Sequence, residues 1–362
     1  GLTMTSAVSL LITFIVLTIF FSCLWFQRDV NSKYDLPLGK VFYPALDSKT
    51  RIDNARALKK IYQQISSAST SRESSPVKTR IDHLREFMDG LRAHVPIISS
   101  VDSVDAGGVP SEWVVAPNAD SSRRLLYIHG GGFMAGSPVS HRVITSKLSE
   151  VTRCAVLAID YRLSPEHKRN ACIDDCRTAY DWLLDNGPCE SSVASSVYVA
   201  GDSAGGNLTL SLLAWVRDTK RRAPNAAVAL SPVTDMRMVN PSVKFNVDTD
   251  IMLKPLAKKL IKVPRWLLII MGRFMVPYDA TDPSISPLLG RLHDLAPLLI
   301  QVSDSEILLD DGRRYANKAR AAGSRVTLQI WSGMPHVWQF FYPDLSAAEH
   351  AFNEIDRFIS LH

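Results

Sequence analysis

The sequence predicts an α/β fold, a mostly parallel twisted sheet with helices on both faces, to which a helical cap is added. Three observations carry this. From Ile97 onward, short apolar runs of strand type alternate with helical runs, the pattern of a parallel sheet. One of those runs, Val197 to Ala200, breaks into Gly201-Asp202-Ser203-Ala204-Gly205, and a helical pattern follows at once. A strand is thus handed to a helix through a turn too tight for side chains on either flank of the serine. From about Val233 to Asp282 the alternation lapses and then resumes, as it would around an insertion. With 362 residues, 46% of them hydrophobic and 21% charged, the chain can bury a core of this size.

Ala7 to Phe26 is twenty residues without a charge. As a helix it would cover roughly 30 Å, the hydrocarbon thickness of a bilayer, and it has no polar face to suit a core helix. No Lys or Arg precedes it and it exceeds the usual apolar core of a cleaved signal, so residues 1–27 are expected to be an uncleaved single-span anchor. Export after cleavage is the rival. Arg28, Lys33 and Lys40 follow the span and would favour the cytoplasm, but sidedness stays open. Residues 28–96 read as polar helices, Ile52 to Ile65 and Lys78 to His94, with the Ser-rich break Ser66 to Ser75 between them. They are expected to form the N-terminal part of a cap and to lie outside the sheet.

The sheet is expected over 97–234 and 283–362. Its first strands are Ile97 to Val101, Glu112 to Val115 and Arg124 to Ile128, and the third runs into His129-Gly130-Gly131-Gly132-Phe133. Successive glycines let backbone N–H groups approach a ligand closely and make a nest for developing negative charge. There follow the strand Ala155 to Ile159, a helix Ile173 to Asp185 stopped at Asn186-Gly187-Pro188, the strand and turn around Ser203, the helix Leu208 to Arg217, and the strand Ala226 to Leu230. Residues 235–282 are the inserted part of the cap. Within them Lys258 to Val276 is apolar and basic together, readable as a helix lining an apolar pocket and leaning on a membrane surface, or as plain packing. The pattern resumes with Pro297 to Val302, the helix Arg313 to Ala322, Arg325 to Trp331, and a final helix Ala347 to Ile359.

A serine hydroxyl is a poor nucleophile until a base takes its proton. His336, in a short Gly/Pro loop after a late strand, is placed to do so, whereas His350 looks like a helix-surface residue and His293 is out of order. The acid that orients the histidine should follow the penultimate strand, where Asp304, Glu306, Asp310 and Asp311 stand. The last two suit the N-terminus of the next helix. Spacing does not choose between Asp304 and Glu306.

Taken together, His129 to Phe133, Gly201 to Gly206, Asp160-Tyr161-Arg162-Leu163-Ser164-Pro165-Glu166 and Asp282 to Leu288 resemble the hormone-sensitive lipase family of α/β-hydrolases, over roughly residues 95 to 362. The resemblance implies the α/β-hydrolase fold and a serine carboxylesterase. It aligns Glu306-Ile307-Leu308-Leu309-Asp310 with the family's acid block, which puts Glu306 in the triad with Ser203 and His336. It implies an oxyanion hole from the N–H groups of Gly131, Gly132 and Ala204, with His129, Gly130, Gly201, Asp202 and Gly205 supporting the two motifs and Asp202 in a structural role. The implied substrates are short- to medium-chain acyl or aryl esters. Lactone, thioester or acetyl-amide cleavage are alternatives on the same site, and a ligand-binding receptor is the alternative of another class. Where the family has an apolar, Pro-containing step, this chain has Lys168-Arg169-Asn170.

No metal or organic cofactor is called for. The net charge of +5 is spread out, so a nucleic-acid partner is excluded and at most a faint attraction to anionic membranes remains. Beyond the ester and, through residues 7–26, a membrane, no partner is indicated; the oligomeric state is unfixed and a homodimer is compatible with it. The five cysteines, Cys23, Cys154, Cys172, Cys176 and Cys189, lack zinc-type spacing and are expected as free thiols.

Overall fold

The computed structural model describes residues 29–36, 39–45, 47–70, 77–262 and 279–362. In chain order it holds β1 (Val41–Phe42), α1 (Ser48–Thr70), α2 (Val77–Leu91), β2 (Ser100–Asp105), β3 (Pro110–Val115), β4 (Asp120–Ile128), α3 (Arg142–Thr152), β5 (Cys154–Ile159), α4 (Arg169–Asp185), β6 (Ser196–Asp202) and α5 (Ala204–Asp218). Then come β7 (Ala226–Leu230), α6 (Ser242–Phe245), α7 (Lys254–Lys262), β8 (Leu298–Ser303), α8 (Leu309–Ala321), β9 (Val326–Trp331) and α9 (Ser346–Ser360).

The nine strands make one sheet in the order β1-β9-β8-β7-β6-β4-β5-β3-β2. From β1 to β5 every pairing is parallel; β3 runs antiparallel to β5, and β2 to β3. Side chains alternate across the sheet, because successive Cβ atoms of a strand point to opposite faces. Leu126 and Ile128 of β4, with Val197 and Val199 of β6, pack with Cys172, Ala179, Leu208 and Leu212 of α4 and α5. Their neighbours Leu125, Tyr127, Tyr198 and Ala200 pack on the other face with Ile144, Leu148, Phe352 and Ile355 of α3 and α9. Strands covered on both faces must be apolar throughout, which is why these runs lack the polar alternation of a half-exposed sheet.

In a parallel sheet of this kind the C-terminal strand ends collect the loops that carry chemistry. Here β4 delivers the triple glycine, β6 the serine turn, β8 the acidic loop and β9 the histidine loop. The inserted segment follows β7, and its α7 ends at the boundary of the described residues. The remainder of the apolar-basic stretch, 263–276, lies outside them, as do residues 1–28 with the predicted span and Cys23. Among the described residues no helix is long and apolar enough to cross a membrane. Cys154, Cys172 and Cys176 are buried free thiols and Cys189 is exposed.

The expectation that 28–96 stands clear of the sheet is corrected at its start. Val41 and Phe42 pair with Leu328 and Gln329 of β9 and extend the sheet by an edge strand. Two residues are too few for a periodic signal; the strand forms because its approach is fixed elsewhere. The fully buried guanidinium of Arg314, on α8, binds both carboxylate oxygens of Asp29 at 2.8 and 2.7 Å and both of Asp35 at 2.6 and 3.0 Å. Asn317, one turn on, donates to the carbonyls of Tyr34 and Leu36. Four helices also begin four residues earlier than predicted, at Ser48, Arg169, Ala204 and Leu309. Gly312 lies inside α8 because a Cβ there would crowd the Val302 side chain at 2.5 Å, so the glycine serves close packing rather than a break.

Candidate active site

Ser203 sits at the joint between β6 and α5 with φ 52° and ψ −113°, a conformation that L-residues avoid. It costs on the order of 1–3 kcal/mol and persists only where the surroundings enforce it. They do so here. A side chain at Gly205 would run into the backbone carbonyl of Ile128, and one at Gly201 into the carbonyl of Gly205. The two glycines thus let the turn close against the end of β4, and the serine is left partly exposed at its tip.

His336 reaches this serine from the loop after β9. Its Nε2 lies 2.9 Å from Ser203 Oγ, and its Nδ1 lies 2.6 Å from Glu306 Oε2. Glu306 is fully buried, and its other oxygen accepts the Ser303 N–H at 2.7 Å and the Ser231 hydroxyl at 3.0 Å. Burial alone would push the His336 pKa down; the bond to Glu306 and its charge, with Asp250 and Asp202 adding, hold it above the ordinary histidine value. Asp304, the other acid that spacing allows, is exposed and turned away. Its Oδ1 accepts the Gly333 N–H at 2.8 Å, bracing the loop that carries His336.

The three predicted oxyanion donors share one logic. A peptide group is planar and trans, so fixing its carbonyl fixes its N–H in the opposite direction. The carbonyl of Gly130, whose peptide carries the Gly131 N–H, is held by His129 Nδ1 at 2.8 Å. That of Gly131, paired with the Gly132 N–H, accepts the N–H groups of Ala135 at 3.0 Å and Met134 at 3.3 Å. That of Ser203, paired with the Ala204 N–H, accepts from Asn207 at 3.0 Å and Val233 at 3.3 Å. Among the described residues none of the three N–H groups donates to a protein acceptor. Gly131 has φ 119°, and a Cβ there would strike the Ala135 carbonyl, so this loop path is open only to glycine.

The motif residues behind this loop are buried and satisfied. Burial would raise the Asp202 carboxyl, but His141, whose Nε2 is 3.4 Å away, and the Tyr127 hydroxyl at 2.6 Å hold it below the usual carboxylate range. The same carboxylate accepts the Gly130 N–H at 3.0 Å, linking the serine turn to the glycine loop. His129 stacks on Tyr161 at 4.2 Å, and Tyr161 donates its hydroxyl to the His129 carbonyl at 2.8 Å. Burial, and then its neighbour His141, push His129 down to about 3, so it is neutral; donation from Nδ1 to Gly130 then leaves Nε2 without a proton. Among the described residues no group of His, Cys, Asp and Glu is arranged to hold a metal ion.

The alpha/beta hydrolase fold family matches residues 125–340, from the end of β4 past His336. An acetyl-hydrolase of Streptomyces hygroscopicus is 36% identical over 258 residues, which are 71% of this chain and 82% of that protein. An esterase of Acinetobacter venetianus is 30% identical over 292 residues, 80% of this chain and 92% of its own length. The crystal structure of an esterase from the bacterial hormone-sensitive lipase family superimposes with a TM-score of 0.71 at 34% identity, covering 82% of this chain and 96% of that one. The chain belongs to the hormone-sensitive lipase family of α/β-hydrolases.

Several residues of this α/β-hydrolase's site have no local motif to announce them. Ser231 bonds Glu306 and also accepts the Val337 N–H at 3.3 Å, so it ties the acid to the histidine loop from the end of β7. Asp250 accepts the N–H groups of Ile307 and Leu253, both at 2.9 Å, and joins the inserted segment to the acid loop. Arg169, in the Lys168-Arg169-Asn170 step, is buried behind the two motif loops. Its guanidinium lies 3.6 Å from the centre of the Phe133 ring and donates to Asn207 Oδ1 at 2.7 Å, touching both motif loops. A charged residue in place of an apolar step reads as surface in the sequence, and only the fold shows it buried.

Proposed function

We propose that the chain is a serine carboxylesterase acting on short- to medium-chain acyl or aryl esters through Ser203, His336 and Glu306. That it is a carboxylic ester hydrolase follows from its family and relatives; the residue roles and the substrate range are our reading. The observation that carries it is the unbroken line Ser203 Oγ, His336 Nε2, His336 Nδ1, Glu306 Oε2, with contacts of 2.9 and 2.6 Å, ending on a buried carboxylate that is itself held by two donors.

In the first half-reaction Ser203 Oγ attacks the ester carbonyl while its proton passes to His336 Nε2, a transfer typically worth about 10²–10⁴-fold. The π pair of the carbonyl moves onto oxygen, where the N–H groups of Gly131, Gly132 and Ala204 receive it; one such donor is worth on the order of 10²–10³ in rate. Glu306 keeps the proton of the resting imidazole on Nδ1 and stabilises the imidazolium. His336 then protonates the leaving alkoxide as the C–O bond breaks, and water, activated by the same histidine, releases the acid from the acyl-serine.

The preference for short to medium acyl groups rests on the activity of the Streptomyces relative, an acetyl-hydrolase. With p-nitrophenyl esters of increasing length, kcat/KM is expected to peak between acetate and octanoate. Absence of turnover on all of them would sink the esterase reading, and a maximum at palmitate would sink the chain-length assignment. We also assign the uncharged stretch 7–26 as a membrane anchor. The full chain is therefore expected in the pellet after alkaline carbonate extraction of membranes; recovery in the supernatant overturns the anchor.

A further inference from the structure

Arg85 lies on α2, in the N-terminal cap segment, yet its Nε donates to the Met134 carbonyl at 2.8 Å, just beyond the glycine loop. That carbonyl belongs to the Met134–Ala135 peptide, whose N–H is the one that holds the Gly131 carbonyl at 3.0 Å. The Gly131–Gly132 peptide in turn carries the Gly132 N–H. Each peptide is planar and trans, so each passes direction straight through: an atom that fixes the carbonyl at one end aims the N–H at the other. We infer that Arg85 is a positioning residue for ester hydrolysis, heading a relay of two peptide groups that aims and polarises the Gly132 N–H. This rests on the reading of Gly132 as an oxyanion donor.

The residue type suits the task. A guanidinium makes a charge-assisted bond to a carbonyl, and hydrogen bonds in a chain polarise one another. Arginine's remaining donors fix it in place. Nη1 and Nη2 bind the two oxygens of Glu166 at 3.0 and 2.9 Å, and Nη2 reaches the Ser164 carbonyl at 3.2 Å. One helical turn on, Asp89 accepts the Ser137 hydroxyl at 2.5 Å, so α2 grips the exit of the glycine loop at two points. Glu166 balances most of the charge of Arg85, so the effect travels through the bonds rather than as a bare long-range field. The Arg85 side chain is 26% exposed, and solvent screening keeps the effect modest.

The test uses the full chain and compares wild type, Arg85→Ala, Arg85→Lys and Glu166→Gln by two readouts. The first is kcat and KM on p-nitrophenyl butyrate. The second is Ki for an alkyl trifluoromethyl ketone, to whose carbonyl carbon the Ser203 oxygen adds while the serine proton goes to His336 and the π pair becomes a stable oxyanion. Arg85→Ala is expected to lower kcat about three- to tenfold, leave KM within about twofold and raise Ki by the same factor as kcat falls, because only the charged adduct uses the aimed N–H. Arg85→Lys is expected to recover most of both, and Glu166→Gln to stay within about twofold of wild type.

A rise in KM alone, an unchanged kcat and Ki, or an equal loss in Glu166→Gln overturns the relay. If Arg85→Ala does not fold, Arg85→Gln, which keeps a donor without the charge, is read by the same criteria. Hydrolysis that survives Ser203→Ala overturns the functional reading and the relay with it. Loss of activity in Ser203→Ala with wild-type kinetics in Arg85→Ala overturns the relay alone.

Discussion

Ser203→Ala is expected to lower kcat/KM on p-nitrophenyl butyrate by at least about 10⁴-fold while leaving the thermal unfolding midpoint within a few degrees of wild type. The size of the loss follows from the order of events. Without Oγ no acyl-enzyme forms, so the bases and donors around the site can act only on water. What survives is the contribution of the oxyanion donors and of binding, which in serine hydrolases amounts to about 10³–10⁴ over the uncatalysed reaction. Stability should hardly change, because among the described residues the Ser203 hydroxyl bonds His336 alone and the strained φ of 52° is imposed by the contacts of Gly201 and Gly205, which the substitution leaves in place. A purified variant that retains a tenth of wild-type activity would remove Ser203 from the reaction. A variant that fails to fold would show that the hydroxyl braces the turn. Burst kinetics offer an independent check, since the wild type should release p-nitrophenol stoichiometrically before the steady state and the variant should not.

Much of this site is legible before folding, because the chemistry concentrates in short runs. A strand that must turn sharply and present a hydroxyl needs glycine at both flanks, and Gly201 and Gly205 stand at those flanks in the sequence. A loop that must offer bare N–H groups needs the freedom of Gly131. The acid is harder to read: Asp304 and Glu306 are two residues apart, and local spacing carries no information about which faces His336. The fold decides by giving each a different neighbour. Asp304 takes the Gly333 N–H at the surface, and Glu306 is left to point inward beneath Ser231. What stays hidden is what long-range contact creates. Ser231 and Asp250 acquire their places only when β7 and the inserted segment close over the acid loop. Arg85 and Arg314 look like ordinary charges on polar helices, because the carbonyl of one and the carboxylates of the other come from segments far along the chain. The edge strand Val41–Phe42 is of the same kind, a pairing set by where Asp29 and Asp35 are anchored rather than by its own two residues.

Glu306→Gln is expected to lower kcat/KM by about 10²–10⁴-fold, and Asp304→Asn by less than about fivefold, although the two residues are near neighbours. Glutamine is nearly isosteric, so the loss reports charge and tautomer rather than shape. A neutral amide neither stabilises the imidazolium nor compels the resting proton to sit on Nδ1. The pH profile separates this from a loose site. His336 acts as a base in its neutral form, so activity is lost as pH falls through its pKa in the free enzyme. With Glu306 present that pKa is raised above 6.5, and the acid limb of kcat/KM should lie above 6.5. In the Glu306→Gln variant the charge that raises it is gone and Nδ1 meets at most a neutral acceptor, while burial, which lowers it, remains, so the limb should move to lower pH even as the plateau collapses. The linkage to stability has a definite sign. A raised histidine pKa means that the folded state holds its proton more tightly than the unfolded chain, so the stabilisation from the His336–Glu306 pair is complete below 6.5 and fades as pH rises through the folded-state pKa. The working enzyme therefore operates on the side of the titration where that contribution is falling. Asp304→Asn should leave the acid limb where it is, since the Gly333 N–H it bonds lies outside the proton path. If instead Asp304→Asn abolishes activity and Glu306→Gln keeps both rate and limb, the carboxylate 2.6 Å from His336 is not the one that matters, and the assignment passes to Asp304.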